Sequence, residues 1–213
     1  DQNKAGGVWA NMQGGTVQIA VIYMASGFGK RFGGNKLLEM IEGKPLFAYG
    51  LELFAGWADD TQKANSPIRL NVILVSQYQE VLAAGRNLGV RCVENRQAGE
   101  GITASIRLGL EVAGDADFYL FSVADQPWLK QSTVKHFIRE YLEVSGQYSI
   151  GCLSAEKGGG GNPVIFSGRY RRELSALRGD KGGSQIIKKY PDEVFRVWAG
   201  ENEVKDIDRI SDL

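Results

Sequence analysis

The run VQIAVIY at Val17–Tyr23 is followed without a break by MASGFGKRFGGNK, from Met24 to Lys36, and this junction constrains the chain more than any other stretch. A β-branched apolar run without polar alternation reads as a strand buried on both faces, which belongs in a parallel sheet. The loop that leaves it carries Gly27, Gly29, Gly33 and Gly34, with cations at Lys30, Arg31 and Lys36. Glycine lets backbone N–H groups approach an anion closely, and fixed positive charge inside the turn favours a triphosphate. The loop is not a Walker A motif, because Asn35 stands where that motif needs Lys and no Ser or Thr follows Lys36. Nor does its G-x-G-x-x-x-G spacing match the dinucleotide fingerprint, and Tyr78 or Gln79, not an acid, follows the next strand.

Strand and helix patterns then alternate. Pro45 opens a helical pattern through Phe47, Leu51 and Phe54, and Leu70–Val75 is a second buried strand. Val81, Leu82 and Leu88 mark a short helix, and Val90–Val93 a short strand. Ile102–Val112 is an amphipathic helix with Ile102, Ile106 and Leu110 on one face, and Phe118–Val123 returns as a strand. A helix over Thr133–Val144 leads into short strands at Tyr148–Leu153, Val164–Phe166 and Val194–Trp198 among Gly-rich turns. This order predicts an α/β fold: a doubly wound, mostly parallel sheet with helices on both faces and ligands outside the carboxyl ends of the strands. The 213 residues suit one domain, expected over residues 16–213, with an NTP-binding N-terminal half and an acceptor-binding C-terminal half. Residues 1–15, polar and without periodicity, read as a disordered or appended lead-in outside the fold.

Lys plus Arg number 25 and Asp plus Glu also 25, so no net field draws a polyanion, and nucleic acid is not an expected partner. Nothing resembles a membrane helix or a signal peptide, so a cytoplasmic protein without a membrane partner is expected. Cys92 and Cys152 match no metal-ligand spacing and read as ordinary buried thiols. His136, the single histidine, falls on the helix Thr133–Val144, where a surface role outweighs catalysis.

Phosphoryl-group chemistry on a triphosphate needs a divalent cation, and Mg²⁺ is usually held by one or two carboxylates with waters and phosphate oxygens. Asp125 follows the strand FYLFSV, where a carboxylate points into the ligand crevice, and Gln126-Pro127 stops the strand. A second acidic set lies in VKDIDRISDL, Val204–Leu213. In GITASIRLG, Gly101–Gly109, Thr103 and Ser105 stand at a helix N-terminus and either cap it or read a base edge or phosphate.

The loop resembles that of the MobA-like nucleotidyltransferases, L-A-(A/G)-G-x-S-x-R-x-G-x-x-K. Met24, Ala25, Gly27, Arg31, Gly33 and Lys36 fall on this pattern, while Ser26 replaces Ala or Gly and Gly29 replaces Ser. The resemblance implies a loop that wraps the NTP phosphates with Met24, Ala25, Ser26, Gly27, Phe28 and Gly29. It implies Arg31 and Lys36 as the groups that neutralise the leaving pyrophosphate, with Asp125 as a catalytic metal ligand. The closing D-I-D-T-P-E-D-L of the family resembles Asp206–Leu213, which makes Asp208 the second ligand for Mg²⁺. Gly101–Gly109 is similar to the cytidylyltransferase branch, which handles molybdenum cofactor, and this implies CTP as donor, read by Thr103 and Ser105. GGGGNPVIF at Gly158–Phe166 and LRGDKGGSQII at Leu177–Ile187 also resemble that branch and imply a molybdopterin-type acceptor bound by Asn162, Asp180, Lys181 and Ser184. A molybdenum hydroxylase is the implied downstream partner. The alternatives are GTP- or sugar-phosphate-directed transfer on the same fold, and a non-catalytic module that binds molybdenum cofactor.

Overall fold

The structure is a computed structural model that describes residues 15–28, 35–156, 161–208 and 210–212. Its strands are β1 (Val17–Ala25), a small hairpin of β2 (Met40–Ile41) and β3 (Lys44–Pro45), β4 (Ile68–Ser76), β5 (Arg91–Glu94), β6 (Phe118–Val123), β7 (Ile150–Ala155), β8 (Val164–Ser167) and β9 (Val194–Ala199). Its helices are α1 (Leu46–Lys63), α2 (Gln79–Asn87), α3 (Ile102–Ala113), α4 (Gln131–Val144), α5 (Arg171–Ser175) and α6 (Ser184–Lys189).

Among the described residues, seven strands form one sheet in the order β5-β4-β1-β6-β8-β7-β9. β1 runs parallel to both β4 and β6, β4 parallel to β5, and β7 parallel to β9; only β8 runs against its neighbours. Chain order reverses at β1, with β4 and β5 on one side and β6 on the other. That reversal is the switch point at which α/β sheets open a ligand crevice.

Period-two alternation in the central strands feeds two cores. Val17, Ile19, Val21 and Tyr23 of β1 face α1 and α4, while Ala20, Ile22 and Met24 face α3. α1 buries Phe47, Leu51 and Phe54 at helical spacing, and full burial of each such side chain stabilises by about 1.5–3 kcal/mol. Gly50 is required on that face: a Cβ there would sit 2.7 Å from the Tyr23 ring, whose hydroxyl donates to Phe47 O at 2.7 Å. Burial, with Asp125 adding to it, pushes the Tyr23 hydroxyl well above its ordinary range, so it stays a donor.

The fold is the doubly wound α/β arrangement expected from the sequence, with shifts at its margins. β1 continues through Met24 and Ala25, which pair with Val75 and Ser76, so the Gly-rich loop begins at Ser26 rather than Met24. The strand expected over Tyr148–Leu153 is Ile150–Ala155, because the end of α4 draws the Gln147 and Tyr148 amides onto Val144 O. No described helix is long and apolar enough to cross a membrane.

Candidate active site

Asn35 accepts from the Leu37 amide at 3.2 Å and opens a short 3-10 turn, Lys36–Leu38. The turn buries Leu37 in the core and turns Lys36 toward the end of β6. Lys36 Nζ donates to Asp125 Oδ2 at 2.7 Å and to Ile207 O at 2.8 Å, and stands 3.6 Å from Asp208 Oδ1. Three segments far apart in sequence thus meet on one ammonium. Asp125 Oδ1 is buried and has no hydrogen-bond partner among the described residues.

The C-terminal segment is drawn in by Gln126 and Ile207. Gln126 Nε2 donates to Val204 O at 3.0 Å and Asp206 Oδ1 at 2.8 Å, and the Ile207 amide donates to Asp125 O at 2.9 Å. Asp206 is exposed as a residue, yet its Oδ1 turns inward onto the Gln126 amide. Desolvation, then the nearby Asp125 charge, raises the Asp206 carboxyl to about 6 against the pull of that hydrogen bond.

The entry to the Gly-rich loop is fixed from β4. Ser76 Oγ donates to Ala25 O at 2.6 Å, Gln77 Nε2 to Ser26 O at 2.6 Å and the Tyr78 hydroxyl to Gly27 O at 2.7 Å. Three consecutive carbonyls are therefore held by three consecutive side chains. Met24, Ser26, Gly27 and Phe28 line a cleft of about 530 Å³ together with Lys36, Asp125 and Asp208. Ala98, Gly101, Ser105 and Asp180 also line it. Gly101 sits at φ +94°, open to glycine at little cost; a Cβ there would overlap Asp180 Oδ1 and sit 2.9 Å from Gly179 O.

The family model for the MobA-like NTP transferase domain matches residues 21–194. The chain belongs to this family. The MobA-like fold recurs in solved structures. Rv0371c from Mycobacterium tuberculosis H37Rv has a TM-score of 0.68 at 22% identity, covering 93% of this chain and 95% of that one. A manganese complex of Rv0371c is also known. The nucleotidyl transferase Mth528 from Methanothermobacter has a TM-score of 0.68 at 22% identity, over 93% of this chain and 94% of its own. A 4-diphosphocytidyl-2C-methyl-D-erythritol synthase from Anaerococcus prevotii has a TM-score of 0.63 at 15% identity, over 92% of each chain. At these identities the likeness is one of fold. No curated protein matches the chain.

In this MobA-like nucleotidyltransferase the cleft gathers many of the residues singled out from sequence. Met24, Ser26, Gly27, Phe28, Lys36, Ser105, Asp125, Asp180 and Asp208 all line it. Ala25 is buried behind the loop entry, and Thr103, 0% exposed, has a hydroxyl inside the first turn of α3 with no partner among the described residues. Asn162 lies before β8, at the carboxyl edge of the sheet but outside the cleft lining. Ser184 donates to Lys181 O, and neither residue lines the cleft. Arg31 and Gly29, with Lys30, Gly33 and Gly34, lie outside the described residues, as do Gly158–Gly160.

Sequence reasoning missed Ser76, Gln77, Tyr78, Asn95 and Gln126 as structural partners of the cleft. Asn95 is buried and donates to Ser105 Oγ at 3.0 Å, which fixes that hydroxyl. The available signal was a polar residue at or just past the end of each strand: Ser76, Gln77 and Tyr78 at the end of β4, Asn95 after β5, and Gln126 three residues past β6. Among the described residues there is no group of three or more His, Cys, Asp or Glu side chains that could hold a metal alone. Two facing carboxylates with one orphaned oxygen do suit a hard divalent cation that completes its shell with water and phosphate.

Proposed function

We propose that this MobA-like domain is a Mg²⁺-dependent cytidylyltransferase that transfers CMP from CTP to the phosphate of a molybdopterin-type acceptor and releases pyrophosphate. One observation carries the reading: Lys36 is held between Asp125 and Asp208 in the same cleft that the entry of the Gly-rich loop lines. A cation that shields a triphosphate and carboxylates that suit a divalent ion share one cleft, as phosphoryl-group chemistry requires.

In this mechanism an acceptor phosphate oxygen attacks the α-phosphorus of CTP, a new P–O bond forms, and the bond to the β-phosphate oxygen breaks. The nucleophile is already an anion, so no general base is needed and the protein's task is to position the groups and neutralise charge. Lys36, with Arg31 of the loop, offsets the charge that collects on the departing pyrophosphate. Met24 through Gly29 receive the phosphates, and the nucleoside is read by Ser105, which lines the cleft and is held by Asn95, with the buried Thr103 behind it in the first turn of α3. Asp125 and Asp208 would hold Mg²⁺, which supplies Lewis-acid polarisation of phosphate oxygens. The acceptor side is assigned to Asn162, Asp180, Lys181 and Ser184, of which Asp180 reaches the cleft. In this reading residues 16–213 act as one cytoplasmic domain, with an NTP-binding N-terminal half and an acceptor-binding C-terminal half, and the product passes to a molybdenum hydroxylase.

The test is pyrophosphate release with each NTP in the presence of Mg²⁺ and purified molybdopterin, with the CMP adduct weighed by mass spectrometry. CTP-dependent release and a CMP adduct are expected. Turnover with GTP or with a sugar phosphate alone, or cofactor binding without pyrophosphate release, would overturn the assignment.

A further inference from the structure

Gln126 is 3% exposed, and its Nε2 donates to two acceptors 78 and 80 residues further along the chain, Val204 O and Asp206 Oδ1. The same segment is tied at Ile207, whose amide donates to Asp125 O and whose carbonyl accepts from Lys36 Nζ. Val204 and Ile207 are buried, whereas the Asp208 side chain that follows is 57% exposed. The place of the Asp208 carboxylate is therefore set by where the backbone before it runs.

We propose that Gln126 is a positioning residue: its amide registers Val204–Asp208 against the Asp125 turn, so that Asp208 faces Lys36 across the cleft. The chemistry asks for one uncharged group that donates twice from a single atom, and a primary amide does this. A glutamate would turn an acceptor against the Val204 carbonyl and a charge against Asp206, and a methionine would fill the volume while donating nothing. The proposal rests on the reading of Asp125 and Asp208 as metal-holding carboxylates, but its first consequence, the anchoring of Val204–Asp208, needs no metal.

Two measurements on the full chain test it. In metal-free protein, amide hydrogen exchange over Val204–Asp208 is expected to quicken roughly tenfold in Gln126→Met while β1 and β6 stay protected. In the presence of CTP, the Mn²⁺ dissociation constant, read by electron paramagnetic resonance, is expected to rise roughly ten- to a hundredfold, the usual effect of losing a partner that orients a ligand. Unchanged exchange in the segment overturns the proposal, and so does quickened exchange with Mn²⁺ affinity within about twofold of wild type. Should Gln126→Met fail to fold, Asp206→Ala removes one acceptor and keeps the bond to Val204; smaller shifts in both readouts are expected, and none in either overturns the proposal. Wild-type protein that binds no Mn²⁺ counts against the metal reading instead, and the anchoring role is then decided by hydrogen exchange alone.

Discussion

Lys36 Nζ and Asp125 Oδ2 lie 2.7 Å apart across 89 residues of sequence, with their side chains 11% and 19% exposed. Partial burial strengthens the pair relative to one in open water, and in the proposed mechanism Lys36 exchanges partners when a polyphosphate arrives.

Replacing Lys36 by Met is expected to lower kcat by roughly 10²–10³, because the proposed mechanism loses a fixed cation aimed at developing charge. Stability should fall by only about 1–3 kcal/mol, since Asp125 keeps its contact with cleft solvent. Pyrophosphate-release kinetics and urea unfolding measure the two effects, and near-normal kcat would remove Lys36 from the mechanism.

Asp125→Asn preserves shape and removes charge. Turnover is expected to be abolished at every Mg²⁺ concentration while the circular dichroism spectrum stays that of the wild type. Asp208→Asn, altering the more exposed carboxylate, should instead raise the Mg²⁺ concentration needed for half-maximal rate. Full activity in Asp125→Asn would show that the metal lies elsewhere.

Tyr78→Phe deletes the hydroxyl that donates to Gly27 O and leaves the ring in place. The loop entry loses one of its three tethers, and KM for the nucleotide is expected to rise two- to tenfold, equivalent to about 0.5–1.5 kcal/mol, with kcat little changed. An unaltered KM would mean that Ser76 and Gln77 hold the loop without it.

Gly101→Ala is expected to destabilise the fold by about 1–3 kcal/mol in urea titration. The added methyl meets Gly179 O and Asp180 while the backbone stays at φ +94°. Pairing it with Asp180→Ala removes the side-chain overlap but not the backbone strain, so only partial recovery should follow; complete recovery would assign the whole effect to Asp180.

Burial raises the Cys152 thiol to about 11, and partial burial raises that of Cys92, which lies nearer the surface. A thiol-specific disulfide reagent at pH 8 should modify Cys92 first and leave Cys152 unreacted until unfolding. Between the ordinary thiol range near 9 and about 11, the unfolded chain releases the Cys152 proton while the folded chain keeps it, so stability falls as pH rises through that window. Cys152→Ala should flatten that alkaline decline, and an unchanged slope would refute the linkage.

Local order alone determined much of this protein. The run Val17–Tyr23, the alternation of strand and helix and the loop that opens after Ala25 each follow from the preferences of neighbouring residues for burial or for turns, and those act over a few positions. Such preferences specify an element and its buried faces. They do not specify which loops will emerge side by side.

Strand order decided that. Because β6 lies beside β1, Asp125 comes within reach of Lys36, and because β4 lies on the other side, Ser76, Gln77 and Tyr78 take hold of the loop entry. The Gln126 bonds to Val204 and Asp206, and the approach of Asp180 to Gly101, leave no periodic trace in the chain. They are single contacts between distant segments, and each exists only once packing of both sheet faces has fixed where those segments end.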